Sequence, residues 1–321
     1  MRLLTGLVLL LAACKGTPDP SATVDVSTTP TENEKLRFAV LLAQQEQRLA
    51  LAQTTNETFS LEDWVRTVEH SASGRNWAVL QTASRLYRHP DEETEIVVVG
   101  MAHVADPRYF DAQSRMLAGA DLVFAEGIQS GEDDAGDADA FLRSDMDPLS
   151  RYRLELSSFL GLAVDGVWKR VAKDERWRTV DVSVDQLRAW RPDDDVSMPE
   201  WVHREHDRFA RLNARRDRGE LAPAEFAHLR NLECFRRIKA IDRGSRSRRS
   251  SSSWYADPRR DRFVFEELKR VVESESPRRI ALIYGAFHAV RLGNWLTEES
   301  GYQASAPIWT DAMRATAVPL D

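Results

Sequence analysis

Cysteine is nearly absent, with two in 321 residues. Two thiols make neither a disulfide framework nor a four-thiolate zinc site, so any metal must be held by His, Asp or Glu. Long apolar runs are missing too. Nothing reaches the ~20 apolar residues of a membrane-spanning helix, and 30% charged residues with a mean hydropathy of −0.46 exclude a polytopic membrane protein. An excess of positive charge is also lacking. The 44 Lys and Arg against 51 Asp and Glu leave a net charge of −7, which gives no footprint for nucleic acid as a partner. There is no Gly-x-Ser-x-Gly elbow and no phosphate-binding loop, so serine-hydrolase and nucleotide-hydrolase readings have no starting point. What the chain does have is 42% hydrophobic residues, enough for a sizeable core.

The longest apolar stretch, Leu3 to Cys14, follows Arg2 and suits the apolar region of a secretory signal. Leu11-Ala12-Ala13-Cys14 resembles the bacterial lipobox, in which cleavage precedes the cysteine and the cysteine carries lipid. Residues 1–13 are therefore expected to be a lipoprotein signal peptide and Cys14 the lipidation site that ties the chain to a membrane. Residues 14–33, polar and Pro/Thr-containing, read as a flexible tether. Lys15 stands where an inner-membrane retention signal places Asp, so the lipobox pattern favours the outer membrane of a bacterial envelope. Residues 34–321 remain as one α/β domain.

Within that domain, residues 36–51 and the stretch opened by Ser60 carry helix signals, the second through a serine cap followed by early acids. Arg85 to His89 and Glu95 to Gly100 predict a hairpin whose second strand is deeply buried. Asp106 and Pro107 predict a helix from Pro107 to Ala118, and Asp121 to Glu126 reads as another short buried strand. The middle of the chain, about 157–256, reads as a helical insertion with a strand-like Arg178 to Val182 and a pair of surface helices over 201–232. Its basic Ser/Arg segment 243–253 reads as a solvated loop, with contact to anionic lipid or an acidic ligand as the sharper reading. A helix from about Asp257 to Glu273, a buried strand Arg279 to Gly285, a helix around Arg291 to Glu299 and a last strand near Tyr302 to Trp309 complete the pattern. The expected architecture is a central, mostly parallel sheet of two pseudo-repeated halves flanked by helices.

The repeated unit is chemical as well as structural. Val97 to His103 and Leu282 to His288 each end an apolar strand with glycine, two residues and histidine. With 15 Gly and 7 His in 321 positions, chance supplies about 0.3 such pairs, so two copies that both close a buried strand point to design. Gly100 and Gly285 are expected to allow a sharp turn at the C-terminal sheet edge, where α/β folds bind ligands. Two histidines and Glu126, which ends the next strand, would there hold a divalent ion or divide acid and base roles. By contrast, His203 and His206 lie among Arg204, Glu205, Asp207 and Arg208 and read as a solvated helix face, while Cys234 reads as a buried small residue.

Ile96 to Val104, Leu122 to Glu126, Arg259 to Arg262 and Ile283 to His288 together resemble the TraB/PrgY/GumN family, related to the Tiki proteins and more distantly to erythromycin-esterase-like and ChaN-like proteins. The likeness runs from about Glu95 to Thr310. It implies a two-halved α/β fold around a cleft and, through the Tiki branch, a metal-dependent peptidase acting outside the cytoplasm. Residue by residue it implies Gly100, Gly285, His103, His288 and Glu126, with Arg260 and Asp261 as an Arg–Asn-like pair. The chain departs from the family pattern at Met101, Phe287 and Asp261. The expected function is thus a membrane-anchored, metal-dependent hydrolase of a peptide or protein substrate. His103, His288 and Glu126 would hold manganese, cobalt or zinc; Glu126 and Asp261 are base candidates, and Arg260 would stabilise an oxyanion. The alternative is a lipoprotein that sequesters a peptide or cofactor in the same cleft without turnover.

Overall fold

The structure, a computed structural model, describes residues 58–72, 75–127, 148–166, 169, 173–190, 200–246 and 257–317. The expected signal peptide, Cys14, the tether and the helix at 36–51 lie outside these residues.

Ser60 does begin a helical turn, with Oγ and backbone N–H both on the Asp63 carboxylate, but only a 3₁₀ turn, Leu61–Asp63, forms. The chain then enters β1 (Val65–Ala72) and β2 (Arg75–Arg88), an antiparallel hairpin. The expected helix gives way because Trp64 is fully buried and Val65, Thr67 and Val68 favour a pleated surface. The expected hairpin is present downstream: β2 pairs antiparallel with β3 (Glu95–Met101), Ser84 opposite Val99. β2 spans 14 residues, because its first half, read from sequence as nothing in particular, joins β1 on one side and β10 (Ile308–Thr316) on the other.

Beyond β3 lie β4 (Val104–Ala105), α1 (Pro107–Leu117), β5 (Leu122–Ala125), α2 (Pro148–Leu160), β6 (Ala163–Val164) and β7 (Trp177–Thr179). The helices α3 (Val184–Trp190), α4 (Glu200–Asp217), α5 (Pro223–Arg246) and α6 (Pro258–Glu275) follow, then β8 (Arg279–Gly285), α7 (Ala286–Glu298) and β9 (Gln303–Ala304). α1 and α6 start alike. Asp106 and Asp257 each accept the N–H two residues on, with proline at the first helical position. The expected surface pair is α4 and α5, and α2 packs on α4 through Phe159 and Phe209, whose rings stand 5.2 Å apart. The segment expected as a loop from 243 continues α5 to Arg246, and 247–253 lies outside the described residues.

The eight-stranded sheet has the order β1-β2-β3-β8-β5-β7, with β9 and β10 also on β2. The class is α/β, and the run β3-β8-β5-β7 is parallel throughout. β3 and β8 are its spine: Val97, Val98, Val99 and Ile280 to Ile283 are all buried, as strands covered on both faces must be. Register positions the site. Gly100 pairs with Tyr284 and Met101 with Gly285, while Ala125 of β5 pairs with Ile283. The C-terminal ends of β3, β8 and β5 are therefore immediate neighbours, although they come from residues 101, 285 and 125.

Candidate functional site

This adjacency brings His103, Glu126 and His288 into one cluster. A β-carbon on Gly285 would lie 2.8 Å from His103 Nε2 and 3.3 Å from Glu126 Oε2, and His288 Nε2 stands 3.6 Å from Glu126 Oε1. Glu126 Oε2 accepts the Gly285 N–H at 2.6 Å, which places the carboxylate at the N-terminus of α7.

The chain turns directly from β8 into α7 at Gly285, as expected, but the turn conformation is not what requires glycine at either position. Gly285 has φ −49°, and neither glycine has positive φ. Close approach requires them instead. A Gly100 β-carbon would meet Ala83 O at 2.9 Å and Trp64 at 3.2 Å, so Gly100 is a core requirement, whereas Gly285 leaves room for His103 and Glu126. The second histidine also sits differently from expectation. α7 begins at Ala286 rather than near Arg291, so His288 occupies a first helical turn.

Each histidine is held at Nδ1 by an aspartate that is itself paired with a cation. His103 Nδ1 is 3.0 Å from Asp165 Oδ2, and Lys169 Nζ is 3.2 Å from the same oxygen. The Asp165 N–H also donates to His103 O, continuing the short β4–β6 pairing. His288 Nδ1 bonds Asp261 Oδ1, and Arg291 Nη1 donates to Asp261 Oδ2 at 2.6 Å. With Nδ1 anchored, each imidazole presents Nε2 inward, the arrangement in which an outer carboxylate orients a histidine ligand.

Arg260 completes the cluster. Its guanidinium is buried, makes two bonds to Asp181, and stands 3.8 Å from Glu126 Oε1. Lys169 donates to the Glu126 carbonyl. Burial would raise the Glu126 pKa, but His288, His103, Lys169 and Arg260 hold its carboxyl far below the usual carboxylate range. Asp165 is lowered likewise, with Lys169 and His103 outweighing burial. For His288, burial pulls the pKa down, yet Glu126 and Asp261 outweigh it and the net shift is upward.

Sequence reasoning named His103, Glu126, Arg260, Asp261 and His288, and the structure brings all five together. It missed four others. Asp165 and Asp181 are buried carboxylates that follow or interrupt apolar runs, Leu162 to Val164 and Val180 to Val182, and an acid set among valines was a readable signal. Lys169 had none. Tyr109 had none either, though its hydroxyl accepts from Ala102 N at 2.9 Å and donates to Gly100 O at 3.2 Å, clamping the turn before His103. Burial pushes the Tyr109 phenol up to about 12, so it stays a neutral donor. Of Met101, Phe287 and Asp261, Met101 packs in the core, Phe287 is exposed, and Asp261 anchors His288.

The donor types, two imidazole nitrogens and a carboxylate, suit a divalent ion. Donors that share an ion at about 2 Å stand roughly 3–4 Å apart, as His288 Nε2 and Glu126 Oε1 do. Among the described residues, however, no group of three or more His, Cys, Asp or Glu side chains is placed so that it could hold a metal ion. The fit is therefore one of donor chemistry. Compared with known proteins, the chain matches no family model, no curated protein and no solved structure. No described helix is long and apolar enough to cross a membrane.

Proposed function

We propose that the chain is a lipid-anchored, metal-dependent hydrolase of the bacterial envelope that acts on peptide bonds, as the resemblance to the TraB/PrgY/GumN family implies. The observation that carries this reading is the pair of aspartate-anchored histidines beside one ionised glutamate, His288 Nε2 3.6 Å from Glu126 Oε1 and His103 Nε2 bordering the same gap at Gly285 as Glu126 Oε2. His103, His288 and Glu126 would hold the ion. When bound, manganese, cobalt or zinc would polarise the scissile carbonyl and acidify a water. Asp165 and Asp261 keep the Nδ1 protons and so turn the Nε2 lone pairs toward the ligand. Asp261, buried and bonded by both His288 and Arg291, is in this reading a positioning residue rather than the base. Arg260, engaged by Asp181, keeps Glu126 ionised rather than reaching the substrate. His103 is the accessible member, its side chain 26% exposed against 10% for His288. The substrate would therefore approach from the His103 side.

A second reading has support of its own. Glu126 is already matched by Arg260, Lys169 and two histidines, which suits a cleft that binds a peptide or cofactor without turnover. Metal content and peptide cleavage of the full-length protein, with His103→Ala and His288→Ala in parallel, separate the two. A hydrolase should hold about one ion, and each variant should weaken binding at least tenfold and cut cleavage at least a hundredfold. A wild-type protein that holds no divalent ion and cuts no peptide ends the hydrolase reading.

A further inference from the structure

A cavity of about 530 Å³ opens at the turn between α4 and α5, and none of its lining residues belongs to the histidine cluster. That volume is in the range of small-molecule sites. Its wall is apolar: Leu221, Pro223, Phe226 and Ala227. Leu221 is buried, and Phe226 packs edge-on against Phe159 of α2 with ring centroids 5.4 Å apart, so the wall is braced by the core. Two guanidiniums complete the lining. Arg216 is fixed in place, Nη1 donating to Ser158 O at 3.1 Å, Nε donating to Asp217, and its charge 5.5 Å from the centre of the Phe226 ring. Arg230 is different. Its Nη1 lies 3.1 Å from where a β-carbon on Gly161 would stand, beside the turn that ends α2, and among the described residues it makes no hydrogen bond and no ion pair. The remaining lining residues are glycine and alanine, so no lining side chain accepts a hydrogen bond. The surroundings have the same sign. Residues 200–246 carry twelve Lys and Arg against eight Asp and Glu, in a chain whose net charge is −7, which favours an anion at this end of the molecule.

We propose that this cavity binds a carboxylate carried on a hydrocarbon chain, a fatty-acid-like ligand whose head meets Arg230 and Arg216 and whose chain lies on Leu221, Pro223 and Phe226. The chemistry of the lining selects this class. Guanidiniums call for an acceptor, and a carboxylate matches their forked donors. A peptide or an amino acid brings N–H groups or an ammonium, which no lining side chain would accept and which are costly to desolvate unmatched. A bare anion such as phosphate satisfies the arginines but leaves the apolar wall in water. A carboxylate with a hydrocarbon chain meets both demands. The assignment is independent of the hydrolase reading, because it shares no residue with that site.

The test titrates full-length protein with octanoate by isothermal calorimetry, beside acetate, inorganic phosphate and octylammonium. Octanoate should occupy one site with a Kd below about 1 mM. Acetate and phosphate lack the chain and octylammonium carries the wrong charge, so each should bind at least tenfold more weakly. Arg230 and Ala227 are both exposed, so substitutions there should leave Tm unchanged. Arg230→Ala should weaken octanoate at least tenfold, Arg230→Lys should weaken it less, and Ala227→Trp, which fills the cavity, should abolish it. Octanoate that does not saturate the protein by about 1 mM overturns the assignment. So does acetate or phosphate that binds as tightly, or octanoate affinity that survives both Arg230→Ala and Ala227→Trp. Sedimentation with phosphatidylglycerol vesicles supplies the last arm. If octanoate does not bind but vesicles are captured and Arg230→Ala releases them, the cavity is a contact for an anionic membrane surface and the ligand assignment falls. None of these readings uses peptide cleavage, so failure here and failure of the hydrolase reading are distinguishable.

Discussion

The two Gly-x-x-His segments share a buried parallel strand and an aspartate-anchored histidine, and differ in backbone and in burial. In the first, the strand runs past Gly100 to Met101, His103 sits in an irregular turn, and β4 intervenes before the next helix. In the second, α7 starts directly after Gly285, and His288 is nearly enclosed, with Glu126 and Asp261 as its partners. The first glycine makes room for the core and the second makes room for the first histidine. The same four-residue pattern thus supplies one accessible imidazole on a loop and one buried imidazole on a helix. A repeat in sequence sets where groups arrive, while the burial around them sets what each can do.

The sharpest way to break this comparison is to remove each histidine and measure stability. His288→Ala leaves the buried Glu126 and Asp261 carboxylates without their shared cation and should cost about 3–5 kcal/mol in urea unfolding. His103→Ala removes a partly exposed side chain, so its cost should be about 1 kcal/mol or less. Equal losses would show that the difference in burial has no energetic meaning.

The glycines offer a second, smaller contrast. Gly100→Ala drives a β-carbon into the Ala83 carbonyl and should cost about 1–3 kcal/mol of stability. Gly285→Ala meets the end of a side chain instead. It should displace His103 and weaken metal binding at least tenfold with a smaller change in Tm. If both variants unfold the protein alike, the separate roles of the two glycines are wrong.

The third contrast is in protons. His288 is held protonated above its ordinary range, and a metal ion must displace that proton. Apparent affinity should therefore rise about tenfold per pH unit below the raised pKa of His288 and level off above it. His288→Ala should flatten the slope. Isothermal titration at several pH values reads it, and a pH-independent affinity in the wild type would contradict the ionic environment of His288.

Much of this was legible in the chain. The apolar runs ending at Gly100, Glu126 and Gly285 marked three buried strands, and aspartate followed by proline marked two helix starts. What sequence could not supply was strand order. β8, encoded far from β3 and β5, lies between them, and only that interleaving makes neighbours of His103, Glu126 and His288. The helix expected after Ser60 failed because a good cap says where a helix begins and nothing about whether Trp64 and Val65 find better burial in a strand. Asp165 was missed, and Asp261 was named as a base rather than as an anchor, because they reach their histidines across 62 and 27 residues and no local periodicity reports such pairs.

The interleaved position of β8 also has a consequence in time. His103 and Glu126 are in place early along the chain, but the strand between them is not synthesised until residue 285. Until then β3 and β5 have no partner that can bring them side by side, and closing loops of this length is slow compared with local structure formation. A chain that stops before β8 would carry His103, Glu126, Arg260 and Asp261 without the strand that joins them. Addition of β8 and the first turns of α7 is thus the step that assembles the cluster.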